Sequence, residues 1–296
     1  MTQMSNTKLK ELLTQARDSN YALGHFNFST LGILRAIVQA CAELKSPVFV
    51  GTSEGEARYV GYKQAVALVR AFREETDLPI FLNADHHKTF ASAKQAIDAG
   101  YDSVQIDETA LSFEENIKVS RQVVEYAKSI NPDISVEGGL GYIRGSSEIH
   151  KEKIEIRSED MTTPEEAKKF VQETGVDRLA IVFGNIHGVS LAGNPRLDIE
   201  LLRKVHAAIP DIPLTLHGGS GINDKDIKAT LPHGMSNIHV NTEIRAAYTN
   251  ALRASLETDK GETTPYKYLS SADEAVRRIV ENKLMLFGAV NLPFSQ

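Results

Sequence analysis

Short apolar segments alternate along the chain with longer segments in which apolar residues recur every three or four positions. The short segments have the length of buried strands, and the longer ones have the periodicity of amphipathic helices. Eight strands are predicted, at 21–28, 48–51, 78–85, 102–106, 134–137, 178–183, 213–216 and 237–240. Helices are predicted between and after them, at 30–44, 61–75, 90–99, 113–130, 163–175, 198–208, 225–231 and 243–256.

Eight strand–helix repeats indicate an α/β fold, a single (β/α)8 TIM barrel whose parallel strands are joined by right-handed crossovers. A helix at 8–18 precedes the first strand, and an extra helix at 272–287 follows the last repeat. Such a barrel needs about 250 residues, and the chain has 296. Because no stretch has the composition of a linker, residues 1–296 are predicted to form one domain. The segments 52–55 and 138–160 are predicted to be loops, the second long and polar.

Charge and cysteine content exclude several classes of partner. A formal net charge of -6 gives no electrostatic footprint for nucleic acid or an anionic membrane. Cys41 is the single cysteine, which rules out an intramolecular disulfide and favours a reducing compartment. It lies on the apolar side of its helix and is predicted to be a packed thiol. Residues 1–11 lack the apolar centre of a signal peptide, and no apolar run has the length of a membrane span. The protein is therefore expected to be cytoplasmic.

Titratable residues lie at the carboxyl ends of the predicted strands, the edge where barrels of this type carry their active sites. They are Asp85, His86, Asp107, Glu137, His187, His217 and His239. Three neutral imidazoles with one open coordination position are typical of a catalytic zinc ion. A single histidine in such a place is more often a core or loop residue. Three at successive strand ends favour a metal ion bound by His86, His187 and His217.

Two glycine-bearing loops carry two of these histidines. Residues 184–188 read Gly-Asn-Ile-His-Gly, and residues 217–221 read His-Gly-Gly-Ser-Gly. Backbone amides exposed by such loops near the last strands of a barrel bind phosphate. Glycines also make tight turns that bind nothing, but the pairing of two His-Gly loops favours an anion site.

With these residues in place, the sequence resembles the class II, zinc-dependent fructose-bisphosphate and tagatose-bisphosphate aldolase family over nearly its whole length. The most specific matches are Asp85-His86, 184–188, 217–221 and Asn241-Thr242. Supporting matches are Phe26-Asn27, 52–55, Ile106-Asp107 and Val136-Glu137. Several dispersed motifs in the same order make a chance similarity improbable.

The resemblance implies a metal site and a proton-transfer group. His86, His187 and His217 would bind Zn²⁺, and Asp107 would belong to a second, buried metal position. Asp85 would move the proton of the C4 hydroxyl as the C3–C4 bond breaks or forms. A carboxylate suits this task because partial burial and a nearby cation set its pKa.

The resemblance also implies a substrate pocket. Asn27 and Ser53 would line it. The phosphate would be held by Gly188, Gly218, Gly219, Ser220, Asn241 and Thr242. Members of the family also bind a monovalent cation near the glycine loops and form dimers, so further copies of the chain are expected as partners, in a homodimer or a larger homo-oligomer.

Three positions depart from the family pattern. Gly139 replaces a glutamate that is an alternate metal ligand in the family, which leaves Asp107 alone at the second metal position. Leu191 stands where many members have lysine, and its presence removes a point charge from the phosphate site. His239 replaces an asparagine that contacts the enediolate. It is predicted either to donate a hydrogen bond to the substrate or to pack at the rim of the site.

The loop after the fifth strand departs as well. It lacks the usual Gly-Gly-Glu-Glu and instead reads Arg-Gly-Ser-Ser-Glu at 144–148. Glu148 is predicted as the catalytic group that takes the C1 proton of dihydroxyacetone phosphate, because a flexible loop can absorb its displacement. Arg144 is a candidate to supply the charge missing at Leu191.

The predicted function is the zinc-dependent, reversible cleavage of a ketose (bis)phosphate. The first substrate is fructose 1,6-bisphosphate, which gives dihydroxyacetone phosphate and glyceraldehyde 3-phosphate. One alternative is the same chemistry on another ketose 1-phosphate, such as tagatose 1,6-bisphosphate. A second is a non-catalytic, aldolase-like partner subunit, which the three histidines and Asp85 disfavour. A metal hydrolase would favour a His-x-His pair on the first strand and a bridging lysine, and the sequence offers neither.

Overall fold

The computed structural model describes residues 7–293, and in this part of the chain eight parallel strands close into a barrel. They are β1 (Leu23–Asn27), β2 (Val48–Ser53), β3 (Ile80–His87), β4 (Ser103–Ile106), β5 (Ser135–Gly139), β7 (Arg178–Ala180), β9 (Leu214–Leu216) and β10 (Met235–Val240). The strands follow chain order around the barrel, and β10 pairs with β1 to close it. The remaining two strands, β6 (Gly145–His150) and β8 (His187–Ser190), pair with each other in a separate parallel sheet.

Helices precede, connect and follow the strands. They are α1 (Thr7–Asp18), α2 (Leu31–Glu43), α3 (Glu54–Val60), α4 (Tyr62–Thr76), α5 (Phe90–Ala99), α6 (Phe113–Ile130), α7 (Pro164–Thr174), α8 (Ile199–Ala208), α9 (Asp224–Thr230), α10 (Thr242–Thr258), α11 (Pro265–Tyr268) and α12 (Ser270–Phe287). Side-chain caps begin several of them: Thr30, Ser112 and Thr163 each accept a hydrogen bond from a backbone N–H in the first turn. No helix within residues 7–293 is long and apolar enough to span a membrane.

The ends of the barrel have different coverings. Helix α1 contacts β10 and the turn at 231–233 that precedes it, so it lies at the amino-terminal end of the barrel. Leu9, Leu12 and Leu13 of this helix are buried there. Helix α12 packs against α10 and α2 on the outside. The carboxyl-terminal end is therefore left to the loops that carry the polar residues.

The predicted (β/α)8 fold is confirmed, and so are all eight predicted strands, with small differences at their ends. The buried Cys41 is also as predicted, and burial raises the pKa of its thiol. The polar segment at residues 1–6, part of the region used to predict the absence of a signal peptide, lies outside the described residues.

Two loop predictions were wrong in part. Strand β6 lies within the segment predicted as a loop at 138–160, and α3 begins inside the loop predicted at 52–55. Most residues of β6 are polar and exposed, so its sequence lacks the apolar alternation that identifies a strand. The short helix α11 was not predicted either, because its four residues are too few to show a period.

Candidate functional site

Three histidines converge at the carboxyl-terminal end of the barrel. His86 lies near the end of β3, His187 opens β8, and His217 directly follows β9. Their ligand nitrogens all lie within 4.8 Å of one another. The structure thus brings together the three residues for which a shared metal ion was predicted.

An unusual backbone conformation aims His86 toward this cluster. Its φ of 51° lies in the left-handed region, which non-glycine residues adopt at a cost of about 1–3 kcal/mol. The register between β3 and β4 shifts between Ala84 and His87, as it does at a β-bulge, and bulges redirect side chains. The backbone N–H of His86 is held by the side-chain oxygen of Gln105 at 2.8 Å.

The two His-Gly loops are locked to each other. Asn185 donates from Nδ2 to the carbonyl oxygen of His217 at 3.1 Å, so the loop that carries His187 is tied to the next one. Gly218 has a φ of 70°, and a Cβ atom on it would lie only 1.9 Å from the carbonyl oxygen of Ile186. Only glycine permits this approach.

Hydrogen bonds outside the cluster fix the tautomers of two imidazoles. His86 Nδ1 lies 2.7 Å from Asp107 Oδ2, and His217 Nε2 lies 2.7 Å from Glu137 Oε1. Because a carboxylate accepts, these two nitrogens donate, and the lone pairs of the neutral rings are on His86 Nε2 and His217 Nδ1. Those two atoms face each other across 3.0 Å. Two lone pairs so close repel each other unless a positive charge lies between them, and this donor set fits a divalent metal ion.

The pKa values of the cluster agree with this requirement. Burial opposes protonation of His86, but the Asp85 and Asp107 carboxylates raise its pKa to about 9. Burial lowers the pKa of His187 to about 3, so this ring stays neutral. The cluster therefore favours one positive charge beside a neutral imidazole. A proton and a metal ion compete for that place.

A buried ion pair supports the cluster from inside the barrel. Glu137 of β5 is the register partner of Arg178 of β7, and the two fully buried side chains form a salt bridge. The Arg178 guanidinium also donates to Asn83 Oδ1 and to Ser135 Oγ, each at 3.0 Å. Burial opposes ionisation of Glu137, but Arg178 and His217 hold its pKa well below the usual range. The acceptor that orients His217 is therefore a carboxylate.

Asp85 lies beside the cluster and is bound by two side chains from the β1–β10 side of the barrel. Its Oδ1 lies 3.1 Å from His239 Nδ1, and its Oδ2 accepts a hydrogen bond of 2.9 Å from Asn27 Nδ2. Burial opposes ionisation of Asp85, but the charge of His86 and the hydrogen bond from His239 hold its pKa well below the usual range. Asp85 is therefore an ionised, buried carboxylate that can accept a proton.

His239 is a buried part of this arrangement rather than a residue at the rim. Its Nδ1 faces Asp85 and its Nε2 lies 2.9 Å from Asn237 Oδ1. Burial lowers the pKa of His239 to about 4, so the neutral ring has one proton to donate, and the carboxylate is the stronger acceptor. The ring stacks on His25 with centroids 3.6 Å apart, because the two histidines are register partners on neighbouring strands.

Two further sets of side chains in residues 7–293 have metal-ligand spacing. They are His25 with Asp85 and His239, and Glu137 with His217 and His239. In both sets every member is buried, and most of their ligand atoms already form hydrogen bonds or salt bridges. The set of His86, His187 and His217 is the most open of the three to an incoming ligand, since two of its members are partly exposed.

The predicted phosphate residues lie together at this end of the barrel. Gly188 is in β8, Gly218, Gly219 and Ser220 follow β9, and Asn241 and Thr242 follow β10. Some of their polar groups are used within the protein. Gly219 N donates to the backbone of β10 at 2.9 Å, and Ser220 Oγ accepts from the N–H of Glu243 at 3.2 Å. The Thr242 hydroxyl lies 2.9 Å from that of Ser147 in β6, so β6 reaches over the phosphate residues.

The side chains of Glu148 and Arg144 form no hydrogen bond with the histidine cluster within the described residues. Glu148 is exposed on β6. Arg144 forms a two-pronged salt bridge with Asp160, so it does not supply the charge missing at Leu191. Leu191 itself is 71% exposed. The change in the loop at 144–148 therefore does not compensate for the charge missing at Leu191.

Thr109 fills the space next to Gly139, where the family has a glutamate side chain. A Cβ atom on Gly139 would lie 3.2 Å from Thr109 Cγ2 and 4.0 Å from Asp107 Oδ1. Thr109 Oγ1 donates to that same carboxylate oxygen at 2.9 Å. With Oδ2 bound to His86 and Oδ1 bound to Thr109, Asp107 positions His86 in this structure.

Sequence reasoning missed two charged residues of the site. Glu56 of α3 accepts hydrogen bonds from the side chain of Asn27 and the backbone of Ser53, both at 2.8 Å. The motif Ser-x-x-Glu at 53–56 is a capping box, which could have predicted this helix and turned Glu56 back toward the strand end. Arg178 is the first residue of an apolar strand. A charged residue at such a position indicates a partner of opposite charge inside the barrel.

Comparison with known proteins assigns the family. The family model described as fructose-bisphosphate aldolase class-II matches residues 7–292. A fructose-bisphosphate aldolase of Staphylococcus epidermidis is 36% identical over 291 residues, which cover 97% of this chain and 99% of that protein. One from Geobacillus stearothermophilus is 37% identical over 291 residues, covering 97% and 98%. The crystal structure of the YdjI aldolase from Escherichia coli K12 matches with a TM-score of 0.79 at 26% identity, over 96% of this chain and 97% of that one. The chain thus belongs to the class II fructose-bisphosphate aldolase family.

Proposed function

We propose that the protein is a metal-dependent aldolase that cleaves, and in reverse forms, the C3–C4 bond of a ketose phosphate. The relatives named above support fructose 1,6-bisphosphate as the first substrate to test, with dihydroxyacetone phosphate and glyceraldehyde 3-phosphate as products. Another ketose 1-phosphate would use the same reacting groups.

One observation carries the proposal: His86 Nε2 and His217 Nδ1, which carry the lone pairs when both rings are neutral, face each other across 3.0 Å next to the ionised Asp85. With His187 these are the three metal ligands that we propose. A divalent ion bound there supplies the positive charge that polarises a carbonyl and stabilises the negative charge that develops beside it. The protein's part is to hold His86 and His217 in one tautomer through Asp107 and Glu137.

Asp85 is the proposed base in cleavage. It accepts the proton of the C4 hydroxyl as the C3–C4 bond breaks and returns it in the reverse direction. His239 and Asn27 hold the two carboxylate oxygens, so the carboxylate cannot rotate freely. We propose that Glu148 transfers the C1 proton of dihydroxyacetone phosphate: it gives this proton in cleavage and takes it in the reverse direction. It is exposed on β6, so this step requires a movement of β6 toward the cluster.

Binding of the substrate phosphate is proposed at the loops that follow β8, β9 and β10. Gly188 and Gly218 supply backbone close to His187 and His217, and the Thr242 hydroxyl begins α10. A helix N-terminus and turns rich in glycine favour an anion. Ser147 of β6 contacts Thr242 and can follow the phosphate as β6 moves.

Several further properties are proposed from the resemblance to the family. The metal ion is Zn²⁺, for which three imidazoles and one open position are typical. A monovalent cation binds near the glycine loops. Residues 1–296 form one domain, the protein works in the cytoplasm, and it assembles as a homodimer or a larger homo-oligomer.

A coupled assay for the dihydroxyacetone phosphate released from fructose 1,6-bisphosphate tests the proposal. Release is expected to stop when a chelator removes the metal and to return when Zn²⁺ is added. Asp85→Ala is expected to lower kcat by about 100-fold or more while the metal content stays unchanged. Full activity in the metal-free protein would contradict the proposal. So would a covalent substrate adduct trapped by borohydride, which indicates lysine chemistry.

A further inference from the structure

Glu56 is a carboxylate that the proposed reaction does not use, yet it binds several residues predicted to line the substrate pocket. Its Oε2 accepts from Asn27 Nδ2 and from Ser53 N, both at 2.8 Å. Its Oε1 lies 3.4 Å from Asn241 Nδ2. One carboxylate therefore engages donors from the ends of β1, β2 and β10 at the same time.

A capping role explains only part of this geometry. In a capping box the third helical residue accepts a hydrogen bond from the backbone N–H of the cap, here Ser53. That bond needs a single lone pair of Glu56. The contacts to Asn27 and Asn241 are made with side chains outside α3, and they place the charge over the open end of the barrel.

The position of Glu56 relative to Asp85 tells which part of a substrate it meets. Asn27 Nδ2 is shared between them, at 2.8 Å from Glu56 and 2.9 Å from Asp85. Ser53 is the register partner of Asp85 on the neighbouring strand β2. Asn27 and Ser53 end β1 and β2, whereas the proposed metal ligands lie on β3 and after β7 and β9. A substrate whose C4 hydroxyl meets Asp85 therefore extends its remaining carbons toward Asn27, Ser53 and Glu56.

The groups at this end of the pocket accept hydrogen bonds more than they donate them. The Asn27 amide and the Ser53 N–H are already bound to Glu56. A phosphate brings only acceptors and negative charge to such a surface, whereas sugar hydroxyls bring donors.

We infer that Glu56 determines substrate specificity by excluding a phosphate from the carbons beyond C4. The substrate is then a ketose 1-phosphate whose far end carries hydroxyl groups and no charge. This inference rests on the proposed aldol function and names its substrate class.

Two ketose phosphates that differ only at C6 test the inference. Fructose 1-phosphate and fructose 1,6-bisphosphate both release dihydroxyacetone phosphate, so one assay gives kcat/KM for each. The wild type is expected to favour fructose 1-phosphate. Glu56→Gln removes the charge but keeps a residue that serves in a capping box, and it is expected to shift the kcat/KM ratio toward the bisphosphate by about tenfold or more.

A matched control is offered by the same helix. Glu54 is also in α3, but its Oε1 accepts from the N–H of Lys88 at 2.9 Å. Glu54→Gln is expected to leave the substrate ratio unchanged. Thermal unfolding of both variants checks that the fold is retained. A wild type that prefers the bisphosphate, or a Glu56→Gln ratio equal to that of the wild type, would overturn the inference.

Binding of two uncleavable analogues separates this inference from the proposed reaction. Glucitol 1-phosphate and glucitol 1,6-bisphosphate need no turnover, and Glu56→Gln is expected to tighten the bisphosphate relative to the monophosphate by about tenfold. Failure of the wild type to cleave either ketose would contradict the aldol function, while the ratio of the two dissociation constants still decides the role of Glu56. An unchanged ratio of dissociation constants would overturn it.

Discussion

The histidine half of the candidate site and the carboxylate half around Asp85 and Glu56 are held in different ways. In the first, His86 and His217 each donate to a carboxylate, and one of these carboxylates is paired with the fully buried Arg178. In the second, side chains from β1, β3, α3 and the end of β10 bind one another through the Asn27 and Asn241 amides.

The difference shows that metal binding and substrate recognition place different requirements on the structure. A metal ion demands ligands fixed to within tenths of an ångström, and the buried network below the three histidines, the proposed ligands, can provide that. Recognition of a substrate requires only suitable groups at the surface of the pocket. Glu56 provides one from a seven-residue helix and is itself only half-buried, so it can change without disturbing the barrel.

The largest expected effect comes from breaking the histidine half directly. His217→Ala removes a proposed ligand, and cleavage is expected to fall by more than about 100-fold, beyond the usual cost of losing an outer partner of a ligand. Metal content measured on the purified protein should fall with it. His233→Ala, in the turn at the opposite end of the barrel, is the control and should keep both metal and activity. A His217→Ala protein with its full metal content would refute the assigned ligand set.

A smaller but still severe effect is expected from the support below. Arg178→Met removes the cation that is paired with the buried Glu137 carboxylate, which should lower the free energy of unfolding by about 3–5 kcal/mol. Urea denaturation measures this loss. Arg203→Met removes an exposed guanidinium that is paired with Glu200, and it should leave the free energy of unfolding nearly unchanged. Equal stability of the two variants would mean that the buried pair does not support the site.

The smallest effect is expected at the junction of the two halves. His239→Asn removes the imidazole that donates to Asp85 but leaves the hydrogen bond from Asn27 in place. The expected loss in kcat is about tenfold, the value of one hydrogen bond of about 1–1.5 kcal/mol. Metal content should not change. If kcat fell as far as it does in Asp85→Ala, His239 would itself be a group that transfers the proton.

The sequence predicts the barrel because its apolar segments repeat with a regular spacing, which is a local signal. The sequence also predicts that His86, His187 and His217 lie together, since the carboxyl ends of parallel strands share one edge. It does not reveal the pairing of Glu137 with Arg178, because that depends on the register between two strands. The same holds for Glu56 and Asn27, which are 29 positions apart and meet only when α3 packs against β2 and β3. Strand β6 was missed for a third reason, since it has few buried side chains to give it a pattern.

The contact at Gly218 has a consequence for how the enzyme can evolve. The carbonyl oxygen of Ile186 occupies the space that a side chain would need at that glycine. The loops 184–188 and 217–221 are therefore expected to move together. An adaptive change that displaced the turn carrying His187 would also displace the turn carrying His217. Mutations that alter substrate preference are therefore expected less often at the last strands than on the opposite side of the barrel opening.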